Sequence, residues 1–154
     1  MIPTKQVAID PKRDLLRHMV ATVAFRGGVA IRDAPDDFAD LRLTAETRSP
    51  AEILAHIGDL LVGSYHLLKG EFIEIRSEPL PWANEVERFY SAVRQLDAFL
   101  STDSPLAHPT EKMVQGPIGD ALTHVGQIVI LRRIAVCPIG EVAYFSAEVT
   151  PGTF

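Results

Sequence analysis

Two histidines 68 positions apart sit in matching surroundings. Glu52-Ile53-Leu54-Ala55-His56-Ile57-Gly58-Asp59-Leu60-Leu61-Val62 aligns without gaps to Asp120-Ala121-Leu122-Thr123-His124-Val125-Gly126-Gln127-Ile128-Val129-Ile130. Leu, His and Gly are identical, and the acid, the β-branched residue after His and the apolar run match in kind. Residues four apart on a helix share a face with Cβ atoms about 5–6 Å apart. Glu52 can therefore neighbour His56, and Asp120 can neighbour His124. If the helices carrying them face each other, two imidazoles and at least one carboxylate converge inside a bundle, where helical folds build metal sites. Gly58 and Gly126 each cost about 1 kcal/mol relative to Ala in a helix interior, so their position after each His points to close helix approach or space for a ligand. The plainer alternative is a pair of half-buried, hydrogen-bonded histidines, each with a local acid partner.

Helix signals place these residues. Asp10-Pro11 is an N-cap followed by Pro at the first helical position, and Leu15, Leu16, Met19, Val20 and Val23 recur at helical spacing, predicting a helix over 11–32. The acidic stretch 33–40 reads as a connection with a short helical turn. Ser49-Pro50-Ala51-Glu52 fits the capping box and opens a second helix, which runs to Lys69 with Gly70 as C-cap. Val86, Phe89, Tyr90, Val93, Leu96, Phe99 and Leu100 predict a third amphipathic helix within 81–102. Residues 102–116 read as loop by composition. Pro117 opens a fourth helix to Val136, with Arg132 and Arg133 in its last turns, where cations suit the dipole. The C-terminal tail over 141–154 is short and can be extended at Val142–Val149.

Four helices of about 20 residues predict an all-α four-helix bundle in one domain over 1–154, with the helix order left open. At about 100° per residue, His56 falls on the margin of the stripe made by Ile53, Ile57, Leu60, Leu61 and Ser64, and His66 lies about 80° further out. His124 lies on a helix apolar nearly all round, so an unpartnered imidazole there carries a desolvation cost.

Composition closes off several function classes. Fifteen Lys and Arg against twenty Asp and Glu give a net charge of −5, which opposes nucleic-acid binding. No window reaches the apolar length of a membrane span, and residues 1–10 lack a signal-peptide pattern, so a cytoplasmic protein is expected. The single Cys137 excludes an intramolecular disulfide and any Cys-based zinc cluster; its default is inert packing. There is no Glu-x-x-His of a ferritin-like di-iron centre, no His-Glu-x-x-His, no Gly-x-Ser-x-Gly and no P-loop. His18 and His108 read as structural or solvated, and Trp82 as an aromatic packed at a helix start, with the lining of a pocket or an interface as its alternative.

The chain resembles the DinB/YfiT-like metalloenzyme family. The matching words are Arg48-Ser49-Pro50-Ala51-Glu52-Ile53-Leu54-Ala55-His56-Ile57-Gly58-Asp59-Leu60, Pro79-Leu80-Pro81-Trp82, and Gln115-Gly116-Pro117-Ile118-Gly119-Asp120-Ala121-Leu122-Thr123-His124-Val125-Gly126-Gln127-Ile128 with Leu131-Arg132-Arg133. Its most specific part is His-x-Gly-Gln at 124–127. The resemblance implies a four-helix bundle, often a homodimer, holding a divalent metal ion (nickel, zinc, iron or manganese). The ligands it implies are one His from the second helix, here His56, and a His-x-x-x-His pair from the fourth, of which His124 is the second member. Asp120 occupies the place of the first. Asp is a competent oxygen ligand for these metals, and the exchange gives a two-His, one-carboxylate set.

Three protein ligands leave open positions for water and a small-molecule substrate, which suits hydrolysis or thiol transfer, the two activities the resemblance implies. Glu52 and Asp59 are the nearest candidates for a catalytic base or an orienting group, with a solvated helix acid as the alternative for Asp59. Gln127, one turn after His124, either hydrogen-bonds a ligand or braces helices. The rival to an enzyme is a catalytically silent binding or oligomerisation module that keeps the bundle without a functional metal site.

Overall fold

The computed structural model describes residues 10–154; the stretch 1–9, in which no signal-peptide pattern is expected, lies outside the described residues. Helix α1 (Pro11–Ile31) begins where the Asp10 carboxylate accepts the Lys12 N–H at 3.0 Å, with Pro11 at the first helical position. Helix α2 (Pro50–Leu68) opens on the expected capping box: Ser49 Oγ accepts the Glu52 N–H, and the Glu52 carboxylate accepts the Ser49 N–H. It closes on Gly70, whose φ of +80° lets the Gly70 and Glu71 N–H groups turn back onto the Leu67 and His66 carbonyls. Helix α3 spans Trp82–Leu100, and a 3-10 turn at Asp36–Asp40 fills the connection between α1 and α2.

The segment before Pro117 departs from expectation. Residues 102–116 read as loop, yet helix α4 (Thr110–Met113) runs into a π turn (Val114–Ile118) and on into α5 (Gly119–Ile134). Pro117 therefore lies inside a helical segment and does not open one. The wider turn accommodates its missing N–H and the clash it would make with the carbonyl four residues back. Gly116 leaves helical geometry (φ −101°, ψ −111°), a backbone open to glycine that avoids the α conformation the following proline disfavours.

The four long helices form a ring in which the neighbours are α1–α3, α3–α2, α2–α5 and α5–α1. Chain order is thus not spatial order: the long connections after α1 and after α3 cross the bundle diagonally. The core between them is apolar, with Leu16, Val20 and Val23 meeting Leu54, Ile57, Phe89, Val93 and Ile128. Leu15, expected on the apolar stripe of α1, is 61% exposed. Close helix approach occurs between α1 and α3. A Cβ on Gly27 would lie 2.6 Å from the Phe89 ring, and one on Gly28 would lie 2.6 Å from Tyr90 Oη.

Polar groups tie the ring. Arg17 forms a two-point ion pair with Asp97 at 2.8 and 2.9 Å, joining α1 to α3. Arg132 is buried, and its guanidinium donates to the carbonyls of Ala30, Arg32 and Cys137, fastening α5 to the end of α1. That role exceeds the dipole contact expected of it. Trp82 packs edge-on against Phe38 at 5.8 Å. In the tail a turn occupies 144–146 where an extended stretch is expected; Tyr144 sits beneath the Arg26 guanidinium and edge-on to Phe25. Among the described residues there is no strand, and no helix is long and apolar enough to cross a membrane.

Candidate metal centre

The α2–α5 contact brings the two related segments together. His56 lies in the second turn of α2, Asp120 in the first turn of α5, and His124 one turn later on the same face. The imidazoles meet edge to face with centroids 4.6 Å apart. The Asp120 carboxylate spans them: Oδ1 lies 3.4 Å from His124 Nε2 and Oδ2 lies 3.7 Å from His56 Nε2. One donor atom from each residue falls within 4.8 Å of the others, so this group could hold a metal ion. With metal–ligand bonds of ~2.0–2.1 Å, neighbouring donors of a tetrahedral ion stand roughly 3.3–3.5 Å apart, and each imidazole approaches that separation through a different oxygen of Asp120. The donor set, two imidazoles and one carboxylate, suits zinc, iron, manganese or nickel.

The protonation chemistry favours ligation. Burial, the neighbouring His124 and the Arg48 cation push the His56 pKa below its ordinary value, outweighing the opposing pull of Asp120 and Asp59. Its neutral form is the one that ligates. His124 Nδ1 stands 2.8 Å from Gln127 Oε1. With that amide oxygen accepting, Nδ1 carries the proton and Nε2, the atom facing Asp120, keeps its lone pair. Gln127 thus contacts a side chain of its own helix and does not brace α5 against a neighbour. Thr123 donates to the Asp120 carbonyl at 2.7 Å, fixing the first turn of α5.

No family model, curated protein or solved structure matches this chain.

Two expected site acids are engaged elsewhere. Glu52 does not join the centre: its Oε2 accepts the Ser49 N–H at 2.7 Å and its Oε1 accepts Arg42 at 2.6 Å, which hold its pKa below the ordinary carboxylate value. Asp59 lies beside the centre, but its two oxygens accept the Ser77 N–H at 2.8 Å and the Ser77 hydroxyl at 2.6 Å. It thereby pins the connection over 69–81 against α2. The outer histidines stand apart from the centre: His66 pairs with Glu71 at 2.6 Å, and His18 and His108 are exposed.

Beside His56 and Asp120, which line it while His124 does not, opens a cleft of about 810 Å³. Its walls come from α2, from Ile73 and Ile75 on the pinned connection, and from Gly116, Pro117 and Gly119 at the π turn. Sequence reasoning did not reach this wall. The Gly-Pro pair was its one signal, and it reads locally as a helix start. Gly119 is required there, since a Cβ would lie 2.8 Å from the Val114 carbonyl oxygen. Gly58 and Gly126 answer to no close approach, because a Cβ on either meets nothing within 4 Å.

Proposed function

We propose that this protein is a divalent-metal-dependent enzyme of the DinB-like type, in which His56, Asp120 and His124 hold the ion and a small molecule binds in the adjoining cleft. The observation that carries the reading is the convergence of three donors from α2 and α5 within 4.8 Å beside an open cleft. A bound divalent ion supplies Lewis-acid activation of water or a thiol, and so supports hydrolysis or S-transfer. The chain's own groups prepare the site. Gln127 holds the His124 tautomer, Asp120 carries the negative charge that offsets the cation, and Ile73 and Ile75 give the cleft an apolar wall.

The test is elemental analysis of protein purified without a His tag, followed by titration with nickel, zinc, manganese and iron. Near-stoichiometric metal, lost in His124→Ala while the helical circular-dichroism spectrum is kept, is the expected result. No binding above background for any of the four ions would instead support the catalytically silent module.

A further inference from the structure

The cleft beside His56 and Asp120 has one-sided wall chemistry. Leu60 and Leu67 of α2 face Ile73, Ile75 and Pro117, and neither Lys nor Arg lines it. The polar side chains along it are largely spent on the protein itself. Asp59 accepts two hydrogen bonds from Ser77, the buried Ser64 hydroxyl donates to the Leu60 carbonyl at 2.7 Å, and Thr123 donates to the Asp120 carbonyl. Gln115 is exposed. A phosphorylated or polycarboxylate ligand would find no Lys or Arg along these walls and would face the carboxylates of Asp59 and Asp120.

We infer that the cleft selects a molecule with an uncharged, aliphatic body and a single polar head directed at His56 and Asp120, the two members of the donor group that line it. The role of the head rests on the metal reading proposed above. The selection for an apolar body rests on the walls alone. Apolar pockets with few polar fixtures are the common form of small-molecule sites, and each methylene buried there strengthens binding by about fourfold.

The experiment has two arms. In metal-free protein, straight-chain alcohols from butanol to octanol are titrated against the corresponding alkyl phosphates, with methyl NMR of Ile73 and Ile75 as the readout. The alcohols should tighten by about three- to fourfold per methylene and bind roughly tenfold more tightly than phosphates of equal length. Ile73→Asp and Ile75→Asp, substitutions on the connection outside the helices, should flatten that chain-length series. In metal-loaded protein, alkyl hydroxamates should show the same length dependence added to a constant contribution of the head. Affinity independent of chain length in the alcohol series, or preference for the phosphates, would overturn the inference. A length-dependent alcohol series in protein that takes up no metal would keep the inference and remove the metal reading.

Discussion

His56 and His124 come from helices that are second and last among the four long elements, yet their rings meet at 4.6 Å, with the Asp120 carboxylate reaching the Nε2 atoms of both. Each donor stands in a different setting: half-buried His56 on the second turn of α2, Asp120 on the first turn of α5, and His124 against Gln127. These settings can be altered one at a time.

Gln127→Ala removes the acceptor of the His124 Nδ1 proton without touching the core, since Gln127 is exposed. Metal affinity should fall about 10- to 100-fold, the usual cost of losing an outer partner of a ligating His, with the melting temperature of the metal-free protein unchanged. Isothermal titration with zinc measures it, and Gln127→Glu, which keeps an acceptor oxygen, should restore most of the affinity.

Asp120→His exchanges the only oxygen donor of the set for nitrogen. Carboxylate suits manganese better than imidazole does, so the variant should lose manganese affinity by at least about tenfold relative to zinc. Competition titration of the two ions reads the ratio. An unchanged ratio would show that Asp120 is not a ligand.

Gly119→Ala and Gly126→Ala should act in opposite directions although both lie in α5. A Cβ at 119 meets the Val114 carbonyl oxygen at 2.8 Å, displacing the π turn and the adjoining Asp120; a loss of about 1–3 kcal/mol in stability and weaker metal binding are expected. A Cβ at 126 meets nothing, so Ala should stabilise by about 0.5–1 kcal/mol with metal affinity kept. Chemical denaturation and metal titration of the pair decide this.

Glu52 gives the pH dependence its sign. The Ser49 N–H and Arg42 hold its folded pKa below the unfolded value of about 4.3, so its stabilisation is present above that value and is lost as pH falls through the folded one. Glu52→Gln should therefore flatten the stability profile below about pH 5. Urea denaturation of both proteins at a series of acidic pH values gives the comparison. Because the carboxylate caps α2 and does not join the centre, metal affinity at neutral pH should stay within about twofold.

The sequence by itself determined the helix boundaries set by local chemistry. The Asp10 cap, the Ser49–Glu52 box and the Gly70 turn are hydrogen bonds within a few residues of chain, so spacing reveals them. It also determined the His56, Asp120 and His124 candidates, because helical periodicity fixes which side chains share a face. Tertiary structure decided the ring order that makes α2 and α5 neighbours, and it decided which lone pairs remained free. Glu52 and Asp59 look alike as acids near His56, yet Arg42 and Ser77 claim their oxygens from connections whose paths no periodicity encodes. Helix α4 was hidden for a related reason: Pro117 and Gly116 are local breakers, and only packing against the rest of the bundle lets a π turn carry the helix past them.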